Sequence, residues 1–309
     1  MTRANWGLIA QVAISLVLLA LLVRQVPIHT LGEALRRVHP TTIVLALALT
    51  MVGYWGRAQR WSVLLARSGV ELSAVGSYGL TLVGTFYGVI TPGRLGEFAR
   101  VLHLRSPSAQ TLPSVVWDRV ADVLLLEAMC LPAFACVPAW RGTLFGVYIA
   151  MVLATALVLA MLARTEVADT VARMLPFLRR PAQRWRAASD GVLSSRAFAL
   201  SLAWGLFFYV FMYAAAWLLL RDLAPGTSAL LLLGLPVIPL LGNLPIAFGG
   251  LGLREQVSAA VFGQVGAGAA TGAAFSLLLF AVATLLPGIA GMIVSATPWM
   301  RAASREKAA

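Results

Sequence analysis

Long stretches of this chain carry no charged residue; residues 143–163 and 198–220 are two of several. A run of about 18 or more uncharged apolar residues, rising 1.5 Å per residue as a helix, is long enough to cross a hydrocarbon core of about 30 Å. Inside that core each backbone amide must find its partner within the protein, and a helix supplies it within the segment itself. Composition agrees: 60% of residues are hydrophobic and 12% charged, which is not the balance of a soluble domain. The expected fold is an all-α polytopic membrane protein, with about six full spans near residues 6–23, 42–63, 119–138, 143–163, 198–220 and 272–297. The first run ends in Arg24-Gln25-Val26-Pro27 without a small-residue cleavage site, so it reads as a retained helix rather than a removed signal peptide.

Two apolar regions between these spans are broken by short Gly/Pro motifs that carry charge. One is Thr91-Pro92-Gly93-Arg94-Leu95-Gly96-Glu97-Phe98-Ala99-Arg100. The other is Pro245-Ile246-Ala247-Phe248-Gly249-Gly250-Leu251-Gly252-Leu253-Arg254-Glu255. The apolar pieces on either side, near 78–90 and 229–241 with short returns at 98–102 and 257–262, are too short to span. A piece of about 13 residues makes about 20 Å of helix, right for a re-entrant hairpin. Paired interruptions at corresponding places in two halves point to a transport site near the bilayer midplane. Residues 1–140 read span, span, hairpin, span, and residues 141–297 read the same, followed by a short basic tail at 298–309. Three crossings per half would invert the second half relative to the first. From Gly93 to Gly249 is 156 positions, and the spans that follow, near 119 and 272, are 153 apart. The expectation is a single transmembrane domain built as an inverted repeat with two re-entrant hairpins.

The net charge of +12 reads as orientation rather than nucleic-acid binding, because arginines cluster between spans. Residues 164–196, Arg57, Arg60 and Arg67, and the tail with Arg301, Arg305 and Lys307 fall on one side in this topology. That side should be the cytoplasm of a bacterial inner membrane, with both termini inside. Arg24, Arg36 and Arg37 would then lie outside, and residues 31–38 could form an interfacial amphipathic helix. Trp6, Trp61, Trp117, Trp140 and Trp299 fall near span ends, as an interfacial aromatic belt would have them. Cys130 and Cys136 share one apolar run and read as ordinary thiols rather than a disulfide or metal pair.

The polar residues inside this apolar chain are where chemistry would sit, since charges at membrane depth are costly. Thr91 and Pro92 suit a helix start, as N-cap and first helical residue. Gly93 and Gly96 would let backbones approach, and helix N-termini suit anions. Arg94, Glu97 and Arg100 recur every three residues and crowd one side of that half-helix. Arg94 or Arg100 could hold a phosphate in bidentate fashion while Glu97 pairs with one of them until the ligand arrives. The second motif offers Asn243, Pro245, Gly249, Gly250 and Gly252 at the tip, then Arg254 and Glu255. The plainer alternative is that Arg and Glu merely satisfy each other and the tip carbonyls. Asp118, Arg119 and Asp122 open the span at 119–138, with the acids one turn apart; helix capping is their structural alternative. Glu127 lies deeper. Left dry it could carry a proton; paired with Arg94 or Arg254 it would be structural. Gly84-x-x-x-Gly88 and Gly268-x-x-x-Gly272 suggest close helix packing. The sequence holds no phosphate-cradling Gly-rich loop ending in Lys-Ser/Thr, no His-Glu-x-x-His and no Asp-x-Asp pair, and His29, His39 and His103 show no ligand spacing. No enzyme, cofactor or metal is expected.

The motifs Pro92-Gly93-Arg94-Leu95-Gly96-Glu97-Phe98-x-Arg100, Asp118-Arg119-x-x-Asp122 and Gly249-Gly250-Leu251-Gly252-x-Arg254-Glu255 together resemble the signatures of the lysylphosphatidylglycerol synthase transmembrane family. That family is also known as the flippase-like, or uncharacterised protein family 0104, domain. The resemblance covers residues 6–297. It implies a lipid-translocating membrane module with re-entrant helices and, for stand-alone members, links to hopanoid movement and polyprenyl-phosphate-linked sugars. The family's aminoacyl-lipid enzymes carry a soluble transferase domain after the membrane region and this chain stops at Ala309, so lipid aminoacylation is not expected of it alone. Its third motif usually opens with Glu-Arg where this chain has Asp118-Arg119. The leading expectation is a flippase or scramblase for an anionic or polyprenyl-phosphate-linked lipid. The alternatives are a non-transporting partner of a membrane glycosyltransferase and an ion-coupled carrier of a small anion.

Overall fold

The computed structural model describes residues 36–104, 108–163, 189–193, 195–242 and 252–297, together with Glu33 and Leu244. The expected span at 6–23, half of 31–38, the basic loop 164–188, Asn243, Pro245, Gly249, Gly250 and the tail 298–309 lie outside the described residues. Within them all regular structure is helical. The α-helices are α1 (Pro40–Ala66), α2 (Ala74–Ile90), α3 (Ser108–Cys136), α4 (Thr143–Ala163) and α5 (Arg196–Leu223), then the short α6 (Leu231–Gly234) and α7 (Val237–Gly242), and finally α8 (Leu253–Gln264), α9 (Ala269–Phe280) and α10 (Leu286–Ala296). A 3-10 helix, Pro92–His103, follows α2, and a π turn, Ala281–Leu285, joins α9 to α10.

Four stretches are long and apolar enough to cross a membrane: Pro40–Ala66, Thr143–Met161, Arg196–Leu223 and Ala269–Ala296. They coincide with the spans expected at 42–63, 143–163, 198–220 and 272–297, and make this a multi-pass membrane protein. The span expected at 119–138 belongs to α3, which starts earlier, at Ser108, and keeps Arg119, Asp122 and Glu127 within its apolar part. The apolar pieces beside the two breaks are short, as expected: Ala74–Ile90 on one side of the molecule's sequence and Leu231–Gly242 on the other.

The centre of the bundle is the pairing of α1 with α5. It is close because α1 offers glycine there. A Cβ on Gly53 would stand 3.2 Å from the Phe208 carbonyl oxygen, and one on Gly56 would stand 3.0 Å from that of Trp204. Helix α2 is clasped between the 3-10 helix and α10, where Gly291 lies against the Leu82 carbonyl with no room for a Cβ. Pro287 explains the π turn before α10. A proline has no N–H to offer the carbonyl four residues back, which is Ala283, and the turn widens there. The Tyr54 hydroxyl of α1 donates to that Ala283 carbonyl at 2.9 Å, replacing the missing bond. Helix α4 stands at the periphery, with Leu153 and Leu157 largely exposed to where lipid would lie.

Three tryptophans expected at the interface are core residues instead. Trp61, Trp117 and Trp140 are 0%, 3% and 0% exposed. A buried indole N–H usually finds a partner, and two of them have one: Trp61 donates to Ser114 Oγ and Trp140 to the Val261 carbonyl, both at 3.1 Å, while the Trp117 N–H has none among the described residues. Trp6 and Trp299 lie outside the described residues. Cys130 is buried, Cys136 is exposed, and both are free thiols.

Candidate functional site

Thr91 is the pivot of the first break. Its hydroxyl donates to the Tyr87 carbonyl at 2.6 Å and accepts from the Gly96 N–H at 2.6 Å, so one side chain ends α2 and holds the returning chain against it. Gly96 is required at that contact, because a Cβ would collide with the Tyr87 carbonyl. The returning segment is a 3-10 helix from Pro92 to His103 rather than an α-helix. Three residues per turn stacks positions i and i+3 in one row, so Arg94, Glu97 and Arg100 form a single file along it. Arg94 itself adopts the left-handed region at φ 58°, unusual for a residue with a side chain. The Gly84 and Gly88 face of α2 receives this file: their missing Cβ atoms would stand 3.4 Å from Arg100 Cδ and 2.8 Å from Glu97 Cγ.

Glu97 binds three guanidiniums, from Arg94 and Arg57 at 2.7 Å each and from Arg119 at 3.0 Å. Asp118 also binds three: Arg60 and Arg100 at 2.6 Å and Arg119 at 2.9 Å. Asp122 pairs with Arg60 at 2.6 Å and Arg119 at 3.4 Å, and accepts the Tyr209 hydroxyl at 2.8 Å. The result is one continuous ion network tying α1, the 3-10 helix, α3 and α5 together. Glu97, Arg100, Asp118 and Arg60 are at most 2% exposed. Charges so buried are tolerated only when paired and hydrogen-bonded. The expected pairing of Glu97 with Arg94 is present. Arg100 pairs with Asp118 rather than with Glu97, and Asp118 and Asp122 lie inside α3, so neither caps a helix start.

At the second break, Gly252 has φ 83°, a conformation that favours glycine, and opens α8. Glu255 reaches back to accept the Gly252 N–H at 2.7 Å and pairs with its neighbour Arg254 at 3.0 Å. The Arg254 guanidinium lies over the Phe280 ring, 4.3 Å from its centroid.

The two breaks face one cavity of about 400 Å³. Arg57, Arg94, Glu97, Arg119, Asp122 and Arg254 are its charged lining. Phe208, Met212, Leu235, Ile238 and Phe280 are among its apolar lining, with Phe208 and Phe280 lying against the Arg57 and Arg254 guanidiniums. Of the expected site residues, Arg94, Glu97, Arg119, Asp122 and Arg254 therefore meet at the cavity, while Arg100, Asp118 and Glu255 stand behind it as buried partners. Glu127 is elsewhere: it is buried, its carboxylate accepts the Thr155 hydroxyl at 2.7 Å, and no ion pair to Arg94 or Arg254 is present. Among the described residues no group of His, Cys, Asp and Glu has the geometry of a metal site.

Sequence reasoning missed Arg57 and Arg60, which it counted with the loop charges. Both are buried, at 5% and 0% exposure, inside α1. The signal was present, because both fall within the span expected at 42–63, where a charge marks a functional or paired position.

No curated protein matches the chain. The motifs quoted above and the buried Arg/Asp/Glu network lie within residues 8–291, the segment that matches the family model described as the lysylphosphatidylglycerol synthase TM region. The chain belongs to that family.

Proposed function

We propose that this protein moves an anionic or polyprenyl-phosphate-linked lipid between the leaflets of a bacterial inner membrane, as a flippase or scramblase and not as an enzyme. The observation that carries the reading is the cavity, lined by guanidiniums from α1, the 3-10 helix, α3 and α8 together with aliphatic and aromatic side chains. Such a lining suits a phosphate head group attached to a hydrocarbon chain. Arg57, Arg94, Arg119 and Arg254 would hold the phosphate, and Glu97 and Asp122 would keep the guanidiniums spread while the site is empty. In this reading the two breaks are the tips of re-entrant hairpins in an inverted repeat, and rocking of one repeat against the other exposes the cavity to each leaflet in turn. Both termini would be cytoplasmic. Transport would run downhill or draw on the proton gradient or membrane potential, where one charge moved is worth about 2.3 kcal/mol per 100 mV.

The test is leaflet exchange of fluorescent phospholipid and polyprenyl-phosphate reporters in liposomes holding the purified protein. Exchange by the wild type that is lost in Arg254→Gln and Arg94→Ala, with melting temperatures showing folded protein, is the expected result. Exchange unchanged in both variants removes the site assignment. No exchange by folded wild-type protein removes the translocase reading.

A further inference from the structure

Resting on the reading above, we infer that the cavity selects a head group carrying two negative charges on phosphate, a monoester or a diphosphate, over singly charged and zwitterionic phospholipids. The argument starts with a count. The network at the first break holds five guanidiniums, those of Arg57, Arg60, Arg94, Arg100 and Arg119, against the three carboxylates of Glu97, Asp118 and Asp122. Arg254 and Glu255 balance each other. Residues 243–251, the remaining part of the second tip, carry no charge. Among the described residues two positive charges are thus left over, in a cluster that is largely buried in protein and opens through the Arg94 and Arg119 side chains.

An uncompensated charge in such a place is costly, and the cost is relieved only by an occupant of opposite sign. Part of the cluster is open to an occupant: Arg94 and Arg119 line the cavity, and their side chains are 23% and 27% exposed. A phosphomonoester, with a second ionisation near about pH 6, offers two charges and three acceptor oxygens. A phosphodiester offers one charge and leaves one guanidinium uncompensated. A zwitterionic head group adds an ammonium to a wall already positive.

The experiment measures binding rather than transport, using the full chain in phosphatidylcholine nanodiscs at mildly alkaline pH. Decyl phosphate, decyl methyl phosphate and inorganic phosphate are titrated against tryptophan fluorescence and melting temperature. The expected result is binding of decyl phosphate about tenfold or more tighter than its methyl ester, the scale of one further charge-assisted contact. Arg100 does not line the cavity, so Arg100→Gln removes one of the two excess charges without touching the wall, and the preference should narrow. Where that variant fails to fold, the wild-type series still decides. Equal affinity for the monoester and its methyl ester overturns the inference and leaves the lipid reading standing. Inorganic phosphate binding as tightly as decyl phosphate upholds the preference for a dianion but makes the ligand a soluble phosphate, overturning the lipid reading. Binding of none of the three overturns both.

Discussion

At the break after α2, Glu97 is bound by guanidiniums from three different elements, and its neighbours in the file belong to a network reaching α1, α3 and α5. At the break before α8, Glu255 stays at home, closing on the Gly252 N–H three residues back and on the adjacent Arg254, with one longer bond from the Ser276 hydroxyl at 3.3 Å. Two motifs with similar letters are therefore wired differently. The first uses its acid as tertiary glue, so changing it disturbs four helices at once. The second uses its acid as a local cap, which leaves Arg254 with one carboxylate and one aromatic face. One cavity of about 400 Å³ is therefore lined both by a break wired into several elements and by a break held locally.

The sharpest way to break that comparison is to neutralise the two acids in turn. Glu97→Gln leaves Arg57, Arg94 and Arg119 facing an amide in a buried position, and removing one partner of a buried ion cluster costs about 3–5 kcal/mol. A large fall in melting temperature of the purified protein is expected. Glu255→Gln keeps a side-chain oxygen for the Gly252 N–H and loses one buried pair where Glu97→Gln loses three, so the smaller fall in melting temperature is expected. Equal losses in the two variants would mean that the second break is as deeply wired into the fold as the first.

The comparison also explains what was legible in the sequence. The file of Arg94, Glu97 and Arg100 follows from spacing alone, because a period of three is a local property of the chain. So is the reach of Glu255 back to Gly252. The partners of Glu97 and Asp118 on α1 were not legible in this way: nothing in the neighbourhood of Arg57 and Arg60 encodes which acid, some forty to sixty positions later, will meet them. Their position inside an expected span was the available clue, and it carried more than the count of positive residues beside it. Trp61 was misread for the same reason. Its distance from the span end suits an interface, yet the Arg100 guanidinium lies over its ring at 4.3 Å, a pairing across elements that only the packed bundle creates. Residues 108–118 are too polar to read as part of a span, yet in the bundle Gln110 and Ser114 are satisfied by the Ser68 carbonyl and the Trp61 indole, partners that only the fold brings to them.

The smallest effect concerns the backbone of the first break. Arg94 sits at φ 58°, where a Cβ crowds the following carbonyl at a cost of about 1–2 kcal/mol and glycine is free of that cost. At the second break a positive φ falls on Gly252, two positions beyond the one that matches Arg94, and glycine has nothing to crowd there. The first break therefore accepts strain in order to place a guanidinium beside Glu97, and the two requirements can be separated. Arg94→Ala loses the ion pair and keeps the strained Cβ, whereas Arg94→Gly loses the ion pair and the strain together. The glycine variant should be the more stable of the two by about 1 kcal/mol, read as a higher melting temperature, and both should fail equally in lipid exchange. Identical melting temperatures would show that the left-handed turn is not strained by its side chain. The asymmetry between the two breaks would then reside in the ion pairs alone.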